Sequence, residues 1–141
     1  MSQRIIDRFE EHARDNHLPS GSQAYYGARR HFITKAVNDG FLYHFGDDMS
    51  DLEAWQDLCY TIGVDGEDDD LRSIYACRWA LQGVFVNIVD LVDAAEAGEE
   101  ICAVFDTPEE LRDYTRISDK VYPLSEAKSN AFLRRFLIRV F

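Results

Sequence analysis

The chain reads as all-α: one compact domain of five or six helices packed around a long central helix at about residues 71–97. Three observations predict this. The first is the stretch 71–98, LRSIYACRWALQGVFVNIVDLVDAAEAG, where Ile74, Cys77, Leu81, Val84, Phe85, Ile88, Leu91, Val92 and Ala95 recur at three- and four-residue steps. That spacing lines up one face of an α-helix. The second is a series of helix-start signals along the chain. The third is composition: 46% of the 141 residues are hydrophobic, with nine Phe, seven Tyr and two Trp to fill a core, and only three Pro. Disordered and low-complexity readings fail on these grounds.

The elements follow in order. Residues 3–16 suit an amphipathic helix with Ile5, Ile6, Phe9 and Ala13 on one face and Arg4, Arg8, Glu11 and Asp15 off it. Leu18-Pro19-Ser20-Gly21 is a turn. Ser20 or Ser22 caps a second helix carrying Tyr25, Tyr26, Arg29, Phe32, Ile33, Ala36 and Val37. It ends near Val37 or Phe45, with Gly40 as a possible interruption. The aromatic run 41–45 belongs to core or interface. Ser50-Asp51-Leu52-Glu53 fits a capping box, opening a third helix with Leu52, Trp55, Leu58, Cys59 and Ile62 inside and a stop at Gly63.

The central helix follows, stopped at Gly98. At 1.5 Å per residue it is about 40 Å long. Ile101 to Phe105 reads as a short extended segment. Thr107-Pro108-Glu109-Glu110 then combines an N-cap, a proline at the first helical position and acids in the first turn. Its helix carries Leu111, Tyr114 and Ile117. A last helix from Ser125 holds Ala127, Phe132, Leu133, Phe136, Leu137 and Val140.

Charge is segregated. The net charge is −11. Residues 47–70 hold ten acids and no base, whereas residues 112–141 hold seven bases and three acids. Nucleic acid is a poor partner for such a chain, because phosphate binding depends on Lys and Arg releasing counterions. A basic protein partner fits better. The N-terminal residues lack the apolar run of a signal peptide, and no stretch is long enough for a membrane span. Three cysteines without a CxxC pair suggest reduced, buried thiols and an intracellular setting, cytoplasmic or nuclear.

The candidate chemistry is sparse. The run Asp65-Gly66-Glu67-Asp68-Asp69-Asp70 places glycine and its twelfth residue, Ala76, wrongly for an EF-hand loop. It reads as a solvated loop, with Asp68, Asp69 and Asp70 as a docking patch for a basic partner. His12, His17, His31 and His44 lack metal-ligand spacing. Cys59 and Cys77 fall on apolar faces, and no GxSxG, P-loop, GxGxxG or HExxH is present. No cofactor or metal is implied. Tyr25, Tyr26, Phe41, Tyr43, Phe45, Trp55 and Trp79 read as core more readily than as the lining of a ligand cavity. Asn87, Asp90 and Asp93 recur at three-residue steps on a helix that Val86 and Val89 make apolar over most of its girth. A carboxylate there must be paired, and Arg78, Lys128 and Arg134 are the candidate partners. The group reads as a polar network fixing helix register, with a ligand or catalytic site, or simple exposure to solvent, as the alternatives.

Trp55-Gln56-Asp57-Leu58-Cys59 with Gly63, Ser73-Ile74 with Cys77, and the run 86–94 (VNIVDLVDA) form an ordered set. So do Leu111-Arg112-Asp113-Tyr114-Thr115, Tyr122-Pro123-Leu124, Ala127-Lys128 and Phe132-Leu133-Arg134. Together, over roughly residues 41–141, they resemble a family of small uncharacterised proteins from filamentous ascomycete fungi. The resemblance implies a fungal, intracellular setting and brings no activity. It also implies that 65–70 is an insertion-tolerant loop.

The functional expectation is a non-enzymatic helical domain that binds another protein, with self-association through surfaces of opposite charge or through a Val86/Val89 strip as a further expectation. The alternative is a small-ligand binder or enzyme with Asn87, Asp90 and Lys128 as its polar groups.

Overall fold

The computed structural model describes residues 4–64 and 71–138. Among these residues there are seven α-helices, one 3-10 turn and a single isolated β-bridge. The all-α class holds, with more and shorter helices than the apolar periodicity predicts.

Helix α1 (Ile5–Asp15) buries Ile5, Phe9 and Ala13. Its Phe9 meets Tyr25 of α2 edge-on, ring centroids 5.2 Å apart. Helix α2 (Gln23–Phe45) is the longest at 23 residues, capped by the Ser22 hydroxyl accepting from the Tyr25 amide. Gly40 does not interrupt it. This glycine is buried, and a Cβ there would lie 2.4 Å from Val92 Cγ1, so its missing side chain is what lets α2 cross the later helix closely. Helix α3 (Leu52–Ile62) is capped by Asp51, which accepts from the Glu53 amide. Ser50 is not the cap, which falls one residue later than the capping-box reading placed it: the Ser50 amide and hydroxyl both donate to Asp48. Gly63 ends α3 in the left-handed conformation at φ 90°.

The long central helix is two helices. Helix α4 (Ile74–Ala80) starts at the Ser73 cap, and α5 (Ile88–Ala97) starts at Asn87. Between them Gly83 takes φ +76°, and Phe85 exchanges two backbone hydrogen bonds with Phe105, at 2.9 and 2.8 Å. Phe105, at the end of the segment expected to be extended, is therefore paired with a residue assigned to the helix. Val86 and Val89 are 4% and 0% exposed, so they are core and offer no strip for a second copy.

Helix α6 (Pro108–Ser118) begins at Thr107 as its sequence predicts, and its Thr107 hydroxyl accepts from the Glu110 amide. It buries no residue fully, and Ile117 is exposed. A 3-10 turn (Leu124–Ala127) precedes α7 (Ala131–Ile138), so the last helix starts later than Ser125. Asn130 caps α7 through the Leu133 amide and donates to the Gly46 carbonyl, tying the end of α2 to the start of α7. Phe132 closes the core between Phe41 and Trp55, with centroids 5.5 and 4.7 Å away. Cys59 and Cys77 are buried as expected, but Cys102 is exposed.

Candidate functional site

The structure brings Asn87 and Asp90 together at the first turn of α5. The Asn87 side-chain oxygen accepts from the Val89 and Asp90 amides, at 2.9 and 3.2 Å. This satisfies donors that a helix start leaves open. Its amide nitrogen donates across to the Thr115 hydroxyl and the Lys120 carbonyl, at 3.2 and 3.0 Å. Asp90 is 2% exposed. Its Oδ1 accepts from Lys120 Nζ at 2.8 Å, and its Oδ2 accepts from the Tyr114 hydroxyl. Lys120 also donates to Tyr114, at 3.2 Å.

The partner of Asp90 is therefore Lys120, and not Arg78, Lys128 or Arg134. Burial by itself would lower the Lys120 ammonium, but the Asp90 carboxylate and the Tyr114 hydroxyl outweigh it and hold its pKa above the usual lysine value. Burial and the same carboxylate raise the Tyr114 hydroxyl. Both oxygens of Asp90 are consumed internally, and the cluster fastens α6 and the segment after it to α5. Together with the Phe105 ring, tilted against the Tyr114 ring at 5.0 Å, it holds a helix that has no fully buried side chain.

Asp93, one turn further on, works at another helix start. Its Oδ1 accepts from the Ile5 amide at 2.8 Å, at the N-terminus of α1. Its Oδ2 is buried without a hydrogen-bond partner among the described residues. Burial pushes its carboxyl up to about 6, against the opposing pull of the Ile5 amide and the Arg4 charge.

The open concave surfaces lie elsewhere. A hollow of about 390 Å³ is lined by His44, Phe45, Asp57, Tyr60, Ala95 and Glu99, among others. A second, of about 550 Å³, shares His44 with the first and includes Arg8, Asp39, Tyr43 and Glu96. On another face, Met49, Lys128, Arg134, Arg135 and Ile138 line a basic groove of about 430 Å³. None of these hollows is lined by Asn87 or Asp90. Lys128 thus belongs to the basic groove and takes no part in the Asp90 cluster. Asp68, Asp69 and Asp70 lie outside the described residues.

No known family model, curated protein or solved structure matches this chain. Its functional reading rests on its own side chains. Among the described residues no three His, Cys, Asp or Glu side chains gather as a metal site requires. No described helix is long and apolar enough to cross a membrane.

Sequence reasoning missed Tyr114, Thr115 and Lys120 as members of the polar cluster. The only local signal was the Asn-x-x-Asp spacing of Asn87 and Asp90, a capping pattern that marks a helix start at residue 88. It also missed the hollow at His44, because the residues that line it come from three separate helices.

Proposed function

We propose that this chain is a non-enzymatic helical domain that binds another protein, one that brings basic groups to the contact. Self-association belongs to the same reading, since the fold carries both acidic and basic surfaces. The setting proposed with it is the inside of a fungal cell, as the sequence resemblance implies.

The observation that carries the reading is the closure of Asp90. A carboxylate that is 2% exposed, with both oxygens bonded to Lys120 and Tyr114, has no face left for a substrate. Charged and aromatic groups such as Asp57, Tyr60, Tyr43 and Lys128 line the open grooves instead. A small-ligand or catalytic site at Asn87 and Asp90 would need an opening there, and the hollows described above lie elsewhere.

The test is affinity purification of the tagged chain from native extract, followed by rebinding of whatever co-purifies as isolated material. A stoichiometric protein that rebinds the purified domain, and is released by salt, is the expected result. A chain that emerges monomeric and alone, carrying a small molecule in native mass spectrometry, would overturn the reading.

A further inference from the structure

The hollow at His44 has three properties that point to one kind of ligand. The first is its carboxylates: Asp57, Glu99 and Glu100 line it, and no lysine or arginine does. All three are exposed side chains, and none is in an ion pair among the described residues. In the adjoining hollow, by contrast, Glu96 is held by Arg8 at 3.3 Å and Asp39 by Lys35 at 2.7 Å. The second property is backbone charge. Phe45, Thr61 and Ala95 place the last turns of α2, α3 and α5 around the same hollow. A helix C-terminus carries up to roughly half a negative charge, reduced at α3 and α5 by the Gly63, Ile101, Gly98 and Glu99 amides that donate to last-turn carbonyls. Helices α3 and α5 have no basic residue in the last turn, and α2 has only His44. The third is aromatic surface: Tyr60 is 58% exposed at this hollow and Tyr43 84% exposed at its neighbour.

Three open carboxylates and three helix ends give this hollow a negative lining, with no lysine or arginine among its described residues. Burial first, then the Glu53 and Asp51 charges at the start of the same helix, push the Asp57 carboxyl above its usual range. A guanidinium both neutralises carboxylates in a forked geometry and stacks on aromatic rings.

We propose that this hollow docks an arginine- or lysine-bearing segment of a partner protein. One cationic side chain sits among Asp57, Glu99 and Glu100, and the rest of the segment runs over Tyr60 toward Tyr43. The inference rests on the interaction reading above and assigns that interaction a surface. It assigns the contact to Asp57, Glu99 and Glu100 and not to Asp68, Asp69 and Asp70, the obvious candidates from charge alone.

Fluorescence anisotropy with a short labelled peptide carrying several arginines tests it on the full chain at ~0.15 M salt, where the Debye length is about 8 Å. Glu99→Gln with Glu100→Gln should weaken peptide binding about tenfold, at the scale of two partly exposed ion pairs lost together. Asp68→Asn, Asp69→Asn and Asp70→Asn together remove more charge yet should weaken it less. Tyr60→Ala should weaken it as well, and amide shifts should centre on residues 60–63 and 98–100. Because these side chains are exposed, the thermal midpoint of each variant reports whether the fold is intact.

If the loop variant loses as much binding as the groove variant, or more, the docking surface is the loop; the assignment fails while the interaction reading stands. Failure of wild type to bind the peptide overturns the hollow as a basic-segment site, and the interaction reading is then judged by its own rebinding assay. Concentration-dependent association of the chain in light scattering, abolished by Glu99→Gln with Glu100→Gln, would overturn the partner in favour of a second copy presenting Lys128 and Arg134.

Discussion

Asp90→Ala is the most informative single change, because it separates a structural cluster from a functional one. The substitution removes the carboxylate that accepts from Lys120 at 2.8 Å and from the Tyr114 hydroxyl. It leaves behind an ammonium whose side chain is 21% exposed and a half-buried hydroxyl that has lost its acceptor. Breaking a buried ion pair from one side costs about 3–5 kcal/mol. Lys120 keeps some solvent, so the lower end applies, about 3 kcal/mol. For a domain of this size that lowers the thermal midpoint by roughly 9 °C.

Urea unfolding of Asp90→Ala, Lys120→Met and the double variant completes a cycle. Lys120→Met alone strands a carboxylate that is 2% exposed, so it should cost a similar amount. The double variant strands neither charge and should fall short of the sum by about 2 kcal/mol. Amide exchange should rise first in α6, which has no fully buried side chain to hold it. A midpoint equal to wild type for Asp90→Ala, or additivity within about 0.5 kcal/mol, would refute the cluster as the fastener of α6.

Other predictions concern the interior and its titration. Gly40→Ala should destabilise by about 1–2 kcal/mol, since overpacking against the fully buried Val92 outweighs the helix-propensity gain. Gly27→Ala, with open space around the new methyl, should stabilise by about 0.5–1 kcal/mol, and chemical unfolding of the pair decides between them. Asp93 has its folded pKa raised to about 6, so the native state binds its proton more tightly than the unfolded chain does. That contribution is full below the ordinary value of 3.8 and is lost as pH rises through about 6. The loss is on the order of 3 kcal/mol, and Asp93→Asn should flatten this part of the stability–pH curve. An unchanged slope in the variant would remove Asp93 as its source. At the alkaline end, burial and Glu126 push Tyr122 up to about 12, and Tyr114 and Lys120 are raised as well. All three groups hold protons that the unfolded chain releases, so stability should fall as pH rises above about 10, read as a declining midpoint.

The origins of the helices were legible where their causes are local. Ser22, Thr107 and Gly63 act through hydrogen bonds that span three or four residues, so neighbouring sequence contains the whole interaction. The break at 81–87 was not legible from periodicity. Val86 and Val89 are buried whether the backbone there is helical or extended, and apolar spacing alone does not distinguish the two. What interrupts the helix is the Phe85–Phe105 exchange, a contact between segments twenty residues apart. The site was legible to a similar depth. That Asp90 must be paired follows from its apolar surroundings. Which cation pairs it depended on where the coil after α6 delivers Lys120, thirty residues away.

By itself, then, the sequence determined an all-α chain, the helix starts at Ser22 and Thr107, the need of Asp90 for a partner if it is buried, and an excess of acidic charge. These follow from short-range capping, from burial periodicity and from net charge, which need no knowledge of distant neighbours. Only the tertiary structure decided that the central stretch is two helices, that Lys120 and Tyr114 close over Asp90, and that three helix ends meet at the Asp57–Glu99–Glu100 hollow. Each of those depends on the direction in which one segment meets another, and chain order carries no direction until the core has packed.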